Sequence, residues 1–159
     1  MIATGCAASS APSASNNGLV LPDVDVVVLD TGATVQLRDL VRKPTLLNLW
    51  ASYCTPCRTE MPMLEAFSQQ HLGEIAVIGV TDDPVLDKAR EIASETGVTY
   101  PLFQDEAGVL LRELRVSSLP ATYLLSATGR VVWSKVGVLS DADLESVVKT
   151  IGESPNVSS

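Results

Sequence analysis

Cys54-Thr55-Pro56-Cys57 is the stretch of this chain best equipped for covalent chemistry. Two thiols so spaced can be half of a zinc site, a structural cross-link, or a dithiol–disulfide switch. A structural zinc site takes four ligands. Outside the pair the sequence offers Cys6 and one histidine, His71, with no second C-x-x-C and no H-x-x-H. A cross-link over so short a loop removes little chain entropy and stabilises little. The switch is the favoured reading because its surroundings supply a mechanism. The pair follows an apolar run, Thr45–Trp50, and opens a helical stretch. Free N–H groups and the dipole at a helix N-terminus favour an anion. Cys54, just ahead of the first turn, is therefore expected to have a lowered pKa and to act as the attacking thiolate. Cys57, one turn along, is expected to attack Cys54 and release the bound partner. Thr55-Pro56 shapes the turn, since proline early in a helix forfeits no hydrogen bond. No histidine lies between the cysteines, which implies a less oxidising pair than one with a central imidazole.

The elements that must hold this pair can be read along the chain. Val24–Leu29 and Thr34–Leu37 flank Asp30-Thr31-Gly32 and read as a hairpin. Thr45–Trp50 and Ile75–Val80 are short apolar runs suited to strands buried on both faces. A helix is expected from about Thr55 to His71, with Met61 and Leu64 inward and Pro62 kinking or shortening it. Asp83-Pro84 predicts a second helix start, with Asp83 as N-cap and Gly97 as the stop. Tyr100–Phe103 reads as a brief strand, Val109–Leu114 as a short helix, and Ala121–Leu125 with Val131–Lys135 as a hairpin. Leu144, Val147, Val148 and Ile151 then form one face of a terminal helix. Alternating strands and helices ending in a hairpin and helix imply an α/β fold on a mixed sheet.

Composition narrows the remaining possibilities. The 159 residues suit one domain and are 46% apolar and 19% charged. A net charge of −8 argues against nucleic acid and anionic membrane surfaces as partners. No apolar run approaches the ~18 residues of a membrane span. Residues 1–18 lack large aliphatic side chains after Ile2 and are expected to form a flexible tether, with the folded unit at 19–152 and a loose tail at 153–159.

The stretch Asn48-Leu49-Trp50-Ala51-Ser52-Tyr53-Cys54-Thr55-Pro56-Cys57-Arg58-Thr59-Glu60-Met61-Pro62 resembles the active site of the TlpA/ResA branch of thioredoxin-like proteins. Gly97-Val98-Thr99-Tyr100-Pro101 and Leu119-Pro120-Ala121-Thr122-Tyr123-Leu124 extend the resemblance over roughly residues 20–152. It implies a thioredoxin fold with an N-terminal hairpin and a central helix–strand insertion. It also implies an extracytoplasmic thiol–disulfide oxidoreductase without a cofactor, acting as a monomer. Its substrates would be cysteine-containing exported proteins, including apocytochrome c. Its redox partner would be a membrane thiol–disulfide electron-transfer protein.

Carried over residue by residue, Cys54 resembles the nucleophile and Cys57 the resolving cysteine. Pro120 resembles the family's cis-proline, and Leu119 before it would offer backbone to an extended substrate. Tyr53, Thr55 and Pro56 would complete the substrate surface, Tyr53 standing where the family has tryptophan. Glu60 resembles an acidic residue able to shuttle a proton to or from Cys57; its plainer reading is a first-turn helix acid. Asn48 stands where cytosolic thioredoxins carry a buried aspartate, which makes Glu60 the better proton-shuttle candidate. Trp50 and Trp133 read as packing, His71 as a helix-end residue, and Asp82 with Asp83 as caps rather than metal ligands.

Ala3-Thr4-Gly5-Cys6 resembles the end of a bacterial lipoprotein signal, so Cys6 is a candidate lipidation site, although only Met1 and Ile2 precede it. Three other functions are compatible with the same fold. An oxidant that introduces disulfides would use the same residues in reverse. A peroxidase of the peroxiredoxin type would need proline and Thr/Ser where Leu47 and Ala51 stand. A non-enzymatic binding module would not need the thiols at all.

Overall fold

The computed structural model describes residues 18–153 and Val157. Cys6 and most of the expected tether lie outside the described residues. The elements are β1 (Asp25–Val28), β2 (Thr34–Gln36), α1 (Leu37–Leu40), β3 (Thr45–Trp50), α2 (Thr55–Gln70), β4 (Ala76–Thr81), α3 (Leu86–Thr96), β5 (Leu102–Gln104), α4 (Val109–Glu113), β6 (Ala121–Leu125), β7 (Val131–Val136) and α5 (Asp141–Glu153). The seven strands form one sheet in the order β2-β1-β5-β4-β3-β6-β7. β3 runs parallel to β4 and antiparallel to β6. The sheet is therefore mixed, as the element pattern predicts, with the N-terminal hairpin on one side and the helix–strand insertion α3–β5 beside β4.

Strand periodicity divides the core into two layers. Successive side chains of a strand point to opposite faces. In β3, Leu46 and Trp50 join Met61, Leu64 and Phe67 of α2, Ala89 and Ile92 of α3, and Leu144 and Val147 of α5. Leu47 and Leu49 face the other way, with Leu37, Leu110, Phe103 and Tyr123. Every residue of β3 is buried, which is what an unbroken T-L-L-N-L-W run between two helical layers requires. Asn48 shares its face with Leu46 and Trp50, so the one amide in this strand points at α2.

Four expectations change at the level of single residues. Leu37 does not end a strand; it starts α1, its amide bonded to the Val24 carbonyl and its side chain buried. Pro62 does not shorten α2, which runs unbroken from Thr55 to Gln70. Its missing N–H removes the bond that would reach the Arg58 carbonyl, and the packing of Met61 and Leu64 on both sides holds the helix together. Asp83 does not cap α3: Val85 is the N-cap residue, without a side-chain capping bond, and the Asp83 carboxylate points elsewhere. In the segment expected to be a loose tail, Val157 is buried and its carbonyl accepts a bond from the Ala127 amide. Gly97 does close α3, in the left-handed conformation (φ 68°) that glycine adopts without a Cβ penalty.

Candidate active site

Parallel pairing of β3 and β4 puts Trp50 opposite Thr81. The residues that follow each strand, 51–54 and 82–83, emerge together at the C-terminal edge of the sheet. Cys54 is the N-cap of α2, and its sulfur accepts a bond from the Cys57 amide at 3.3 Å. A sulfur so placed meets the positive end of the helix. Cys54 and Cys57 are joined in a disulfide, with Cα atoms 5.3 Å apart. Their accessibility differs: Cys54 is 8% exposed and lines a cleft, whereas Cys57 is fully buried beneath it. An incoming sulfur can therefore reach Cys54 and not Cys57.

The cleft has a volume of about 590 Å³. It is lined by residues 53–56 of the cysteine loop, by Asp82, and by Leu111 and residues 116–119, of which Leu111, Val116 and Leu119 are aliphatic. The Leu119–Pro120 peptide bond is cis, Pro120 is buried, and its carbonyl accepts from the Gly137 amide at 2.8 Å. Of the expected substrate surface, Tyr53, Thr55, Pro56 and Leu119 line the cleft; Pro120 lies behind it.

Glu60 is not a solvated first-turn acid. It is 2% exposed, one turn beyond Cys57 on the inner face of α2. One carboxylate oxygen accepts from Asn48 Nδ2 at 2.8 Å and the other from the Leu139 amide at 2.9 Å. Asn48 Nδ2 also donates to Thr122 Oγ1 at 3.1 Å. Burial pushes the Glu60 pKa above the ordinary carboxylate value, the two bonds opposing it incompletely. Glu60 is thus a buried acid on the inner face of α2, held by the Asn48 amide and the Leu139 N–H. His71 caps the far end of α2 against Phe67, their ring centroids 4.5 Å apart, away from the cleft.

Sequence reasoning missed the residue that fixes the loop before Cys54. Asp83 is 2% exposed, and its carboxylate accepts from the Ser52 amide at 2.7 Å and the Ser52 hydroxyl at 2.6 Å. Thr81 Oγ1 donates to the same carboxylate at 2.6 Å, and the Asp83 carbonyl accepts from Gln104 at 2.6 Å. The loop carrying Cys54 is thereby tied to β4 and β5. Next to it, Tyr53 Oη donates to Asp82 at 3.2 Å. Burial, then the carboxylate of Asp82, raises the Tyr53 pKa; burial likewise raises Asp82. The available signal was an Asp-Asp pair ending a buried strand that adjoins the cysteine strand, since sites gather at the C-terminal ends of parallel strands.

Residues 18–134 match the model of the AhpC/TSA family. The thioredoxin-like protein YneN of Bacillus subtilis is 30% identical over 131 residues, covering 80% of this chain and 76% of that protein. The thiol-disulfide oxidoreductase ResA of Oceanobacillus iheyensis is 28% identical over 125 residues, 78% of this chain and 65% of that protein. Among solved structures, a candidate thiol:disulfide interchange protein DsbE from Chlorobium tepidum superposes with a TM-score of 0.76 at 25% identity, covering 87% of this chain and 96% of that one. A buried, helix-capping C-x-x-C disulfide on this sheet agrees with those likenesses, and the chain belongs to the AhpC/TSA family, among its TlpA/ResA-type thioredoxin-like thiol–disulfide oxidoreductases.

Proposed function

We propose that the chain is an extracytoplasmic reductant of disulfides in exported proteins, with apocytochrome c as the model substrate. The supporting observation is the unequal burial of the pair: Cys54 lines the cleft at the N-terminus of α2, and Cys57 sits wholly behind it. In the reduced state the helix N-terminus lowers the pKa of Cys54. Its thiolate attacks the substrate disulfide, one substrate thiolate leaves, and a mixed disulfide forms. Cys57 loses its proton and attacks Cys54, the second substrate thiolate leaves, and the intramolecular disulfide returns. Glu60, buried along the helix from Cys57 with a raised pKa, is the group proposed to take up that proton. Leu119, ahead of Pro120, offers backbone to an extended substrate. A membrane thiol–disulfide protein regenerates the dithiol, and a lipid on Cys6 provides attachment.

Trapping tests this reading. Cys57→Ser leaves the mixed disulfide unresolved, so Cys54 should hold exported cysteine proteins through a bond that reductant releases. A variant that captures none counts against the assignment. The opposite direction of electron flow uses the same residues; a reduction potential in the range of strong oxidants would make the protein an oxidant.

A further inference from the structure

The cleft beside Cys54 carries one charged side chain. Its lining is otherwise tyrosine, serine, threonine, proline and aliphatic residues, and the charge is Asp82. None of the ion pairs among the described residues includes Asp82. Its side-chain partner is the Tyr53 hydroxyl, a neutral donor at 3.2 Å. The carboxylates of Asp83 and Asp105 stand close enough to add to the negative potential at Asp82. Of the basic residues that adjoin the lining in the chain, Arg58 and Arg112 bond elsewhere, and Arg115, exposed beside Val116, takes part in none of those ion pairs. Arg58 pairs with Glu95 at 2.6 Å, and Arg112 donates to the Ala107 carbonyl at 3.2 Å. Asp82 is half-buried and faces no cation, so a cation delivered by a ligand gains a favourable interaction there.

Tyr53 gives that cation a second partner. It is 69% exposed although it belongs to the active-site loop, and its hydroxyl bond to Asp82 keeps the ring beside the carboxylate. An aromatic face attracts a Lys or Arg head electrostatically, and the effect adds to that of a carboxylate. The aliphatic side chains of Leu111, Val116 and Leu119 in the lining suit the hydrocarbon stem of such a side chain. A chain with net charge −8 also draws cationic segments towards itself.

We infer that the cleft selects disulfides flanked by lysine or arginine, the cationic head lodging between the Asp82 carboxylate and the Tyr53 ring while the substrate sulfur meets Cys54. This deepens the oxidoreductase reading above and rests on it. Electron flow is unchanged: two electrons pass from the dithiol to the substrate disulfide, and the Cys54–Cys57 disulfide forms.

The experiment compares peptides that contain one intramolecular disulfide and differ at the residue beside a cysteine, which is lysine, norleucine or glutamate. Each is reduced by the fully reduced protein, and each rate is divided by the rate with dithiothreitol to remove the intrinsic effect of the flanking charge. The lysine peptide is expected to react ~5–10-fold faster than the glutamate peptide at low salt, with norleucine between. High salt should shrink the ratio. Asp82→Asn should bring it close to one, and Tyr53→Ala should lower it by a smaller factor. Equal normalised rates in the wild type, or a lysine preference that survives in Asp82→Asn, overturns the inference while leaving the oxidoreductase reading in place. No reduction of any peptide overturns both.

Discussion

Asp83 holds Ser52 by two bonds, one to its amide at 2.7 Å and one to its hydroxyl at 2.6 Å, and so fixes the chain two residues ahead of Cys54. The carboxylate is buried and receives Thr81 as well. Asp83→Asn replaces one acceptor oxygen with a donor and leaves either the Ser52 amide or a hydroxyl without its partner. Such a loss costs about 1–3 kcal/mol. Ser52→Ala removes one hydroxyl and keeps the backbone bond, so it should cost about 1 kcal/mol. Urea unfolding of the two variants checks the order. If Asp83→Asn proves as stable as the wild type, the tie between loop and strand has no energetic weight.

Gly79 lies in β4 under the Trp50 indole. A Cβ built there would stand 2.5 Å from Leu102 Cδ2 and 3.1 Å from Trp50 Nε1. Both neighbours are buried in the layer beneath α2, so neither can move without disturbing it. Gly79→Ala is expected to destabilise by about 1–3 kcal/mol, the usual cost of overpacking. A thermal scan should show a fall of roughly 2–4 °C per kcal/mol. Trp50 ends the strand that leads into the cysteine loop, so the rate at Cys54 should fall with it. Unchanged melting would mean that Leu102 swings aside freely.

The apolar runs and the C-x-x-C pair made much of this architecture readable, because strand burial and helix starts leave local marks. Thr45–Trp50 and the helix from Thr55 required only their own residues. Asp83 was unreadable for the opposite reason. Asp-Pro is a sound local helix-start signal, and here a tertiary partner across the sheet edge, Ser52, outcompetes the cap. Leu37 misled in the same way: its apolar side chain suits a strand, but the buried position is reached by turning into α1. The burial of Glu60 and its bond to Asn48 follow from which face of β3 meets α2, a fact of register that spacing alone does not reveal.

Glu60 makes stability depend on pH with a definite sign. Burial raises its folded pKa above the ordinary 4.5, the bonds from Leu139 and Asn48 lowering it only in part. Between 4.5 and the raised value the native state binds more protons than the unfolded chain. The associated stability is full below the unfolded pKa and is lost as pH rises through the folded one. Glu60→Gln has no such titration. The unfolding free energy of the wild type should therefore fall, relative to Glu60→Gln, across this window. The pH profile of thiol reactivity should also change shape in the variant. Parallel stability curves would show that Glu60 does not titrate there, and an unchanged thiol profile would reduce it to a structural acid.

Asn48 and Glu60 together explain why this strand carries an amide. Asn48 Nδ2 donates to the Glu60 carboxylate at 2.8 Å and to Thr122 Oγ1 at 3.1 Å, and Asn48 is fully buried. Asn48→Asp would remove both donors and bring a second carboxylate to within hydrogen-bond distance of the first. Two carboxylates so close do not both ionise, and one pKa of the pair rises strongly. At neutral pH the substitution should cost about 3 kcal/mol or more, from the lost donors and from a buried charge without compensation. At pH 5 the extra proton enters readily, restores one hydrogen bond between the acids and reduces the loss. Urea titrations at pH 5 and pH 8 distinguish this electrostatic cost from a packing defect. A deficit of the same size at both pH values would mean that shape rather than charge makes the strand prefer asparagine.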